Sequence, residues 1–165
     1  MGDPMSAAQT TNPDAASATA DREIVMTRVF DAPRERVFEA YSRAEHLDRW
    51  FGPRGFTTVT HAMDFRPGGA WSFTMTAPDG TVYPNYVAYR EIDRPARLVF
   101  DHGSSAERPG DFHVTITFTE EEGGTRVTQR SLFPSAEARA AVVSFGAIEL
   151  GQQTLEKLAE HLSRM

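Results

Sequence analysis

Two side chains in this sequence have the chemistry of a general acid–base pair, His61 in THAM and Glu149 in IELG. An imidazole titrates near neutrality, and a carboxyl group enclosed by apolar side chains is raised toward the same range. Other groups have the chemistry to orient a ligand rather than react with it: His102 in FDHG, Gln129 and Ser131 in TQRSLF, and Gln152 in LGQQ. A third set offers contact area. Trp71, Phe73 and Met75 alternate with Ser72, Thr74 and Thr76, and Trp50, Tyr86, Phe100 and Phe145 add aromatic surface elsewhere. Apolar area with a few polar groups is the composition of a small-molecule site. Each residue also has a plain structural reading: the aromatic strip as core, His61 satisfied by a backbone carbonyl, Glu149 paired or in solvent.

Other chemistries find no support. The chain has no cysteine, which rules out disulfides, thiolate metal sites and cysteine nucleophiles. Its five histidines, His46, His61, His102, His113 and His161, include no pair at helix-ligand or zinc-finger spacing, so no metal is expected. Ser131 and Ser144 lie outside any Gly-x-Ser-x-Gly elbow, and RPGG at 66–69 precedes a strand rather than a helix, so it is no phosphate loop. No cofactor is implied. A net charge of -6 with scattered Lys and Arg lacks the basic footprint of nucleic-acid binding. No apolar run approaches the ~20 residues of a membrane span, and the N-terminus has no secretory pattern, so a cytoplasmic protein without stable membrane insertion is expected.

The elements that must position these groups follow from turn signals and periodicity. Residues 1–21 contain no aromatic or basic residue and are expected to form a disordered tail ahead of one domain over 22–165. REIVMTRVF (22–30) reads as a strand. A helix is expected after it, with Asp31 as cap and Pro33 in the first turn, and then a second short helix with Ser42 and Glu45 at capping-box spacing, stopped by GPRG at 52–55. From Phe56 about six antiparallel strands follow, separated by RPGG, PDG and EEGG turns. Residues 134–165 read as one long helix with Ile148, Leu155, Leu158 and Leu162 at helical spacing. The fold class is α+β: a curved antiparallel sheet of about seven strands wrapped around a long C-terminal helix, with two short helices after the first strand.

Strand parity supplies a map of faces. It turns Trp71, Phe73 and Met75 inward, and likewise Leu98, Phe100 and His102. It does the same for Phe112, Val114, Ile116 and Phe118, and for Val127 and Phe133 with Gln129 and Ser131. Over 57–65 it carries Val59, His61, Met63 and Phe65 inward together. In TVYPNYVAYREI, Tyr86 and Ile92 compete with Val87 and Tyr89, and Tyr86 is favoured. On the helix the stripe continues upstream through Phe145, Ile148, Glu149 and Gln152. Gly146 and Gly151 stand beside it, serving either close backbone approach or space for a ligand.

The segments DAPRERVF, HLDRWFGP, FRPGGAWSF, REIDRPARLVF and VTITFTEEEGGTRVT resemble the START-like or SRPBCC helix-grip superfamily, the group of the Bet v allergen-like fold. Within it the closest branch is the activator of heat-shock-protein-90 ATPase homologue-like domain. The resemblance runs from about Glu23 to Leu162. It implies a cavity between sheet and helix, in a superfamily of lipid and hormone carriers, polyketide cyclases, sequestering proteins and co-chaperones. Three functions are therefore open. The first is a protein that encloses a hydrophobic small molecule, a lipid, polyketide or aromatic metabolite. The second is a cyclase, dehydratase or hydrolase in the same cavity, using His61 or Glu149. The third is a co-chaperone acting through its surface.

Overall fold

A computed structural model describes residues 19–165. The expected tail lies outside the described residues as far as residue 18, and Ala20–Arg22 form a single 3-10 turn at the start of the domain. Strand β1 (Glu23–Phe30) buries Ile24 and Phe30 and exposes Val25 and Val29, the alternation of a half-buried strand. Two short helices follow, α1 (Arg34–Ser42) and α2 (Ala44–Trp50). Then come β2 (Thr57–Met63), β3 (Ala70–Thr76), β4 (Val82–Asp93), β5 (Arg97–Gly103), β6 (Phe112–Glu121) and β7 (Gly124–Leu132). The chain ends in α3 (Ala136–Ser144) and α4 (Ala147–Leu162).

All seven strands form one antiparallel sheet in the order β1-β7-β6-β5-β4-β3-β2. The meander from β2 to β7 needs only hairpin connections, and β1 joins it along β7. Two bulges, between Thr60 and Ala62 and between Tyr89 and Glu91, interrupt the ladder. Each bends its strand and adds to the coiling that lets one sheet curve around a helix. Leu155, Leu158 and Leu162 of α4 are buried with Phe30, Trp50, Trp71, Phe118 and Val127 in a single core.

The helix signals needed correction. Asp31 does not cap α1: Pro33 takes the N-cap position in an extended conformation (φ -69°, ψ 155°), with no side-chain cap. Ser42 does not cap α2 either. It is the last residue of α1, where its hydroxyl donates to the Glu39 carbonyl at 3.0 Å, and Arg43 in extended conformation separates the two helices. What holds α2 to α1 is Trp50, whose buried indole N–H donates to the Ala40 carbonyl at 3.0 Å while its ring meets Tyr41 edge-on. The C-terminal segment is two helices, not one. Ser135 caps α3 by accepting from the Ala138 N–H, and the chain breaks at Phe145–Gly146, where Gly146 adopts φ +86°. That left-handed conformation is open to glycine and closed to most residues.

Candidate functional site

The concave face of the sheet and the helices do not meet completely. Between them lies a cavity of about 320 Å³, walled by β1 and by β3 to β7, by α2 with the loop after it, and by the α3–α4 region. Its size is at the lower end of the range for small-molecule sites.

The aromatic wall has two layers. Trp71 lines the cavity and stacks on Phe73 with ring centroids 3.8 Å apart. Phe73 lies behind it as fully buried core, and Phe51 meets both rings edge-on. Met75 is on the wall, while the Trp71 indole N–H is satisfied by Thr60 Oγ1 at 3.0 Å. On the other half of the sheet, cross-strand register lays out parallel rows. His102, Phe112 and Phe133 stack in succession, with centroids 4.9 and 5.1 Å apart. Beside them Phe100 faces Val114, which faces Ser131, and Leu98 faces Ile116, which faces Gln129. Trp50, Phe100, His102, Gln129 and Ser131 all reach the cavity.

Besides Phe73, which is core behind the wall, five of the residues read from the sequence as site residues are placed elsewhere. His61 is exposed on the outer face, where it shares a hydrogen bond of 2.7 Å with Thr74 Oγ1. The bulge at Thr60–Ala62 inserts one residue, so parity changes sign there. Thr58 and Thr60 point in before it, Met63 packs on the core after it, and Val59 is 55% exposed. Tyr86 pairs with Ser72 on the outer side, because Val87 and Tyr89 take the interior opposite Trp71 and Phe100. Phe145 is 82% exposed at the helix break. Glu149 and Gln152 are exposed, because the face of α4 that meets the cavity is Ala147, Leu150, Gly151, Thr154 and Leu155. At 3.6 residues per turn that stripe leads straight into Leu158 and Leu162 and turns positions 149 and 152 away. The expected His61–Glu149 pair is therefore not brought to the cavity.

The glycine question is resolved toward close packing. Gly151 sits against Met26 of β1: a Cβ there would stand 2.8 Å from its sulfur. Met26 is itself on the cavity wall, as are Tyr41, Phe51 and Tyr89, none of which was singled out from the sequence. The signal for Met26 and Tyr89 was present in their parity with Ile24 and Val87. Tyr41 follows from the helical spacing of Val37, Phe38 and Tyr41, all buried in α1.

The electrostatics of the wall are simple. It contains no Asp, Glu, Lys or Arg, and its titratable groups are Tyr41, Tyr89 and His102. Burial pushes both tyrosines up, well away from ionisation. Burial also lowers His102, to about 4, against a small opposing pull from Asp111. At pH 7 every group on the wall is neutral. Charge is kept to the outer face and the helix surfaces. On the outer face, the Asp101 carboxylate accepts from Arg90 and His113 at 2.7 Å each, bonds that outweigh its partial burial and hold its pKa low. Among the described residues no group of three His, Asp or Glu side chains is arranged to hold a metal ion. Among them, too, no helix is long and apolar enough to cross a membrane.

The fold recurs in solved structures. Protein Ms6760 from Mycobacterium smegmatis is 30% identical, with 88% of this chain and 94% of that one aligned at a TM-score of 0.81. A protein from Arthrobacter aurescens, solved by NMR, is 27% identical over 89% of both chains, again with a TM-score of 0.81. Protein NE0264 from Nitrosomonas europaea shares the fold at 24% identity and the same TM-score, with 88% of this chain and 96% of that one aligned. No curated protein shows a significant match. Residues 31–163 match the family described as activator of Hsp90 ATPase homolog 1-like protein. With that match spanning most of the chain, from the start of α1 to the end of α4, the protein belongs to the activator of Hsp90 ATPase homolog 1-like family, within the START-like helix-grip fold.

Proposed function

We propose that this protein binds an uncharged, largely apolar small molecule in the cavity between the sheet and α4. The observation that carries this reading is the wall itself: aromatic, aliphatic and thioether surface, no formal charge at pH 7, and a few uncharged polar groups, His102, Gln129 and Ser131 on the sheet with the hydroxyls of Tyr41, Tyr89 and Thr154. A well-packed interior leaves few voids larger than a water molecule. An apolar void of this size is therefore a feature that core packing alone does not call for. Transfer of an apolar ligand into it gains about 25 cal/mol for each Å² removed from water, whereas a carboxylate or ammonium would lose its hydration against a wall that returns no counter-charge.

The test is a fluorescence titration with naphthalene and with 1-naphthoate. Trp50 and Trp71 are the only tryptophans and both are on the wall. Saturable quenching by naphthalene, with 1-naphthoate at least about 100-fold weaker, is the expected result. Equal response to the anion, or none to either probe, would contradict the reading.

A further inference from the structure

His102 carries one more piece of information, because its hydrogen-bonding partner fixes which ring nitrogen holds the proton. Asn85 donates through Nδ2 to the Tyr83 carbonyl at 3.0 Å, and that oxygen can only accept. The other half of the amide, Oδ1, therefore faces His102 Nε2, at 2.8 Å. A carbonyl oxygen opposite Nε2 requires Nε2 to be the donor, which leaves Nδ1 as a bare lone pair. The two nitrogens of an imidazole point in divergent directions, so Nδ1 is turned away from Asn85. No described residue bonds to it. It is also not sealed in, because among the described residues the fully enclosed side-chain polar atoms lacking a partner are Arg34 Nε and Tyr41 Oη. The ring is held by Phe112, stacked at 4.9 Å, in a residue that lines the cavity.

Resting on the cavity reading above, we infer that His102 Nδ1 is the acceptor that selects a ligand bearing a hydroxyl donor, an uncharged alcohol or phenol. Asn85 is the positioning residue that holds it in that state. Gln129 and Ser131 each have both donor and acceptor atoms and so accept either polarity. His102, locked by Asn85, does not. A ligand that offers only an ether or carbonyl oxygen leaves the lone pair of Nδ1 unpaired, and an unmade hydrogen bond in a dry site costs more than a made one gains.

The experiment compares 1-naphthol with 1-methoxynaphthalene, which present nearly the same apolar surface but differ in having the donor. Wild type is expected to bind the naphthol about ten-fold more tightly by calorimetry. In His102→Phe the difference should collapse to within about two-fold, and in Asn85→Ala it should narrow, because the imidazole is then free to exchange tautomers. Histidine ¹⁵N spectra of the wild type provide a reading that does not depend on either variant folding. They should show Nε2 protonated and Nδ1 bare, with Nδ1 moved by 1-naphthol and not by its methyl ether. Equal binding of the two probes, or a protonated Nδ1, overturns the assignment while leaving the cavity reading standing. Binding of neither overturns both.

Discussion

The sulfur of Met26 occupies the space in which a side chain at position 151 would begin: a Cβ on Gly151 would stand 2.8 Å from it. Helix α4 and strand β1 thus approach through a glycine and a methionine, and the methionine is also cavity wall. Gly151→Ala would relieve the helix of a glycine, worth about 0.5 to 1 kcal/mol, and would force the thioether to move. Methionine is flexible enough to do so, and the open side is the cavity. The expected outcome is a protein within about 1 kcal/mol of wild type by urea unfolding, with naphthalene affinity lowered about ten-fold. A loss of stability without loss of affinity would mean that Met26 does not shape the ligand space.

Tyr41 illustrates the opposite case, a polar atom that the interior does not satisfy. Its hydroxyl is fully buried without a partner, on a ring that meets those of Trp50 and Phe118 edge-on. An unpaired buried hydroxyl costs about 1 to 3 kcal/mol in lost hydration. Tyr41→Phe keeps the ring contacts and removes that cost, so it should raise the unfolding free energy by about 1 kcal/mol. A decrease of similar size would show that the hydroxyl has a partner, such as an ordered water.

His102 makes stability depend on pH in a defined direction. Its folded pKa, about 4, lies below the 6.5 of an ordinary histidine, because burial disfavours the imidazolium. Between these values the unfolded chain binds more protons than the folded one. Stability is therefore fully present above pH 6.5 and declines as pH falls toward 4, by a total on the order of 3 kcal/mol. His161, lowered by burial and by the charges of His46, Arg49 and Arg164, acts in the same direction. Unfolding curves from pH 8 to 4.5 should show this slope in wild type and a shallower one in His102→Phe. Identical slopes would place the imidazole in water.

The fold was legible in the sequence because its strongest signals are local: alternation in the strands, and Gly, Pro and Asp at the turns. Parity placed Trp71, Met75, Phe100, His102, Gln129 and Ser131 on the inward side correctly, since their strand segments run without interruption. It failed at His61, where a single bulged residue reverses the faces and no residue type announces it. It failed again at Tyr86, where two aromatic side chains of opposite parity compete and only pairing with Trp71 and Phe100 decides. On the last helix the break at Gly146 was invisible to a periodicity count. Phe145 lies exposed at that break, whereas Glu149 and Gln152 were misread within α4 itself, because the inward stripe above Leu155 runs through Thr154, Gly151, Leu150 and Ala147, of which only Leu150 is a large apolar residue.

Uptake of an uncharged apolar ligand into the space between the sheet and α4 is reported directly by the methionine methyl groups. Met26 and Met75 are on the cavity wall, Met63 packs against the core, and Met165 stands at the surface. In ¹³C-methyl spectra of the full chain, naphthalene is expected to shift Met26 and Met75 along a saturable curve and to leave Met165 unmoved. Shifts confined to Met165, or none at Met26 and Met75 at saturating probe, would contradict it.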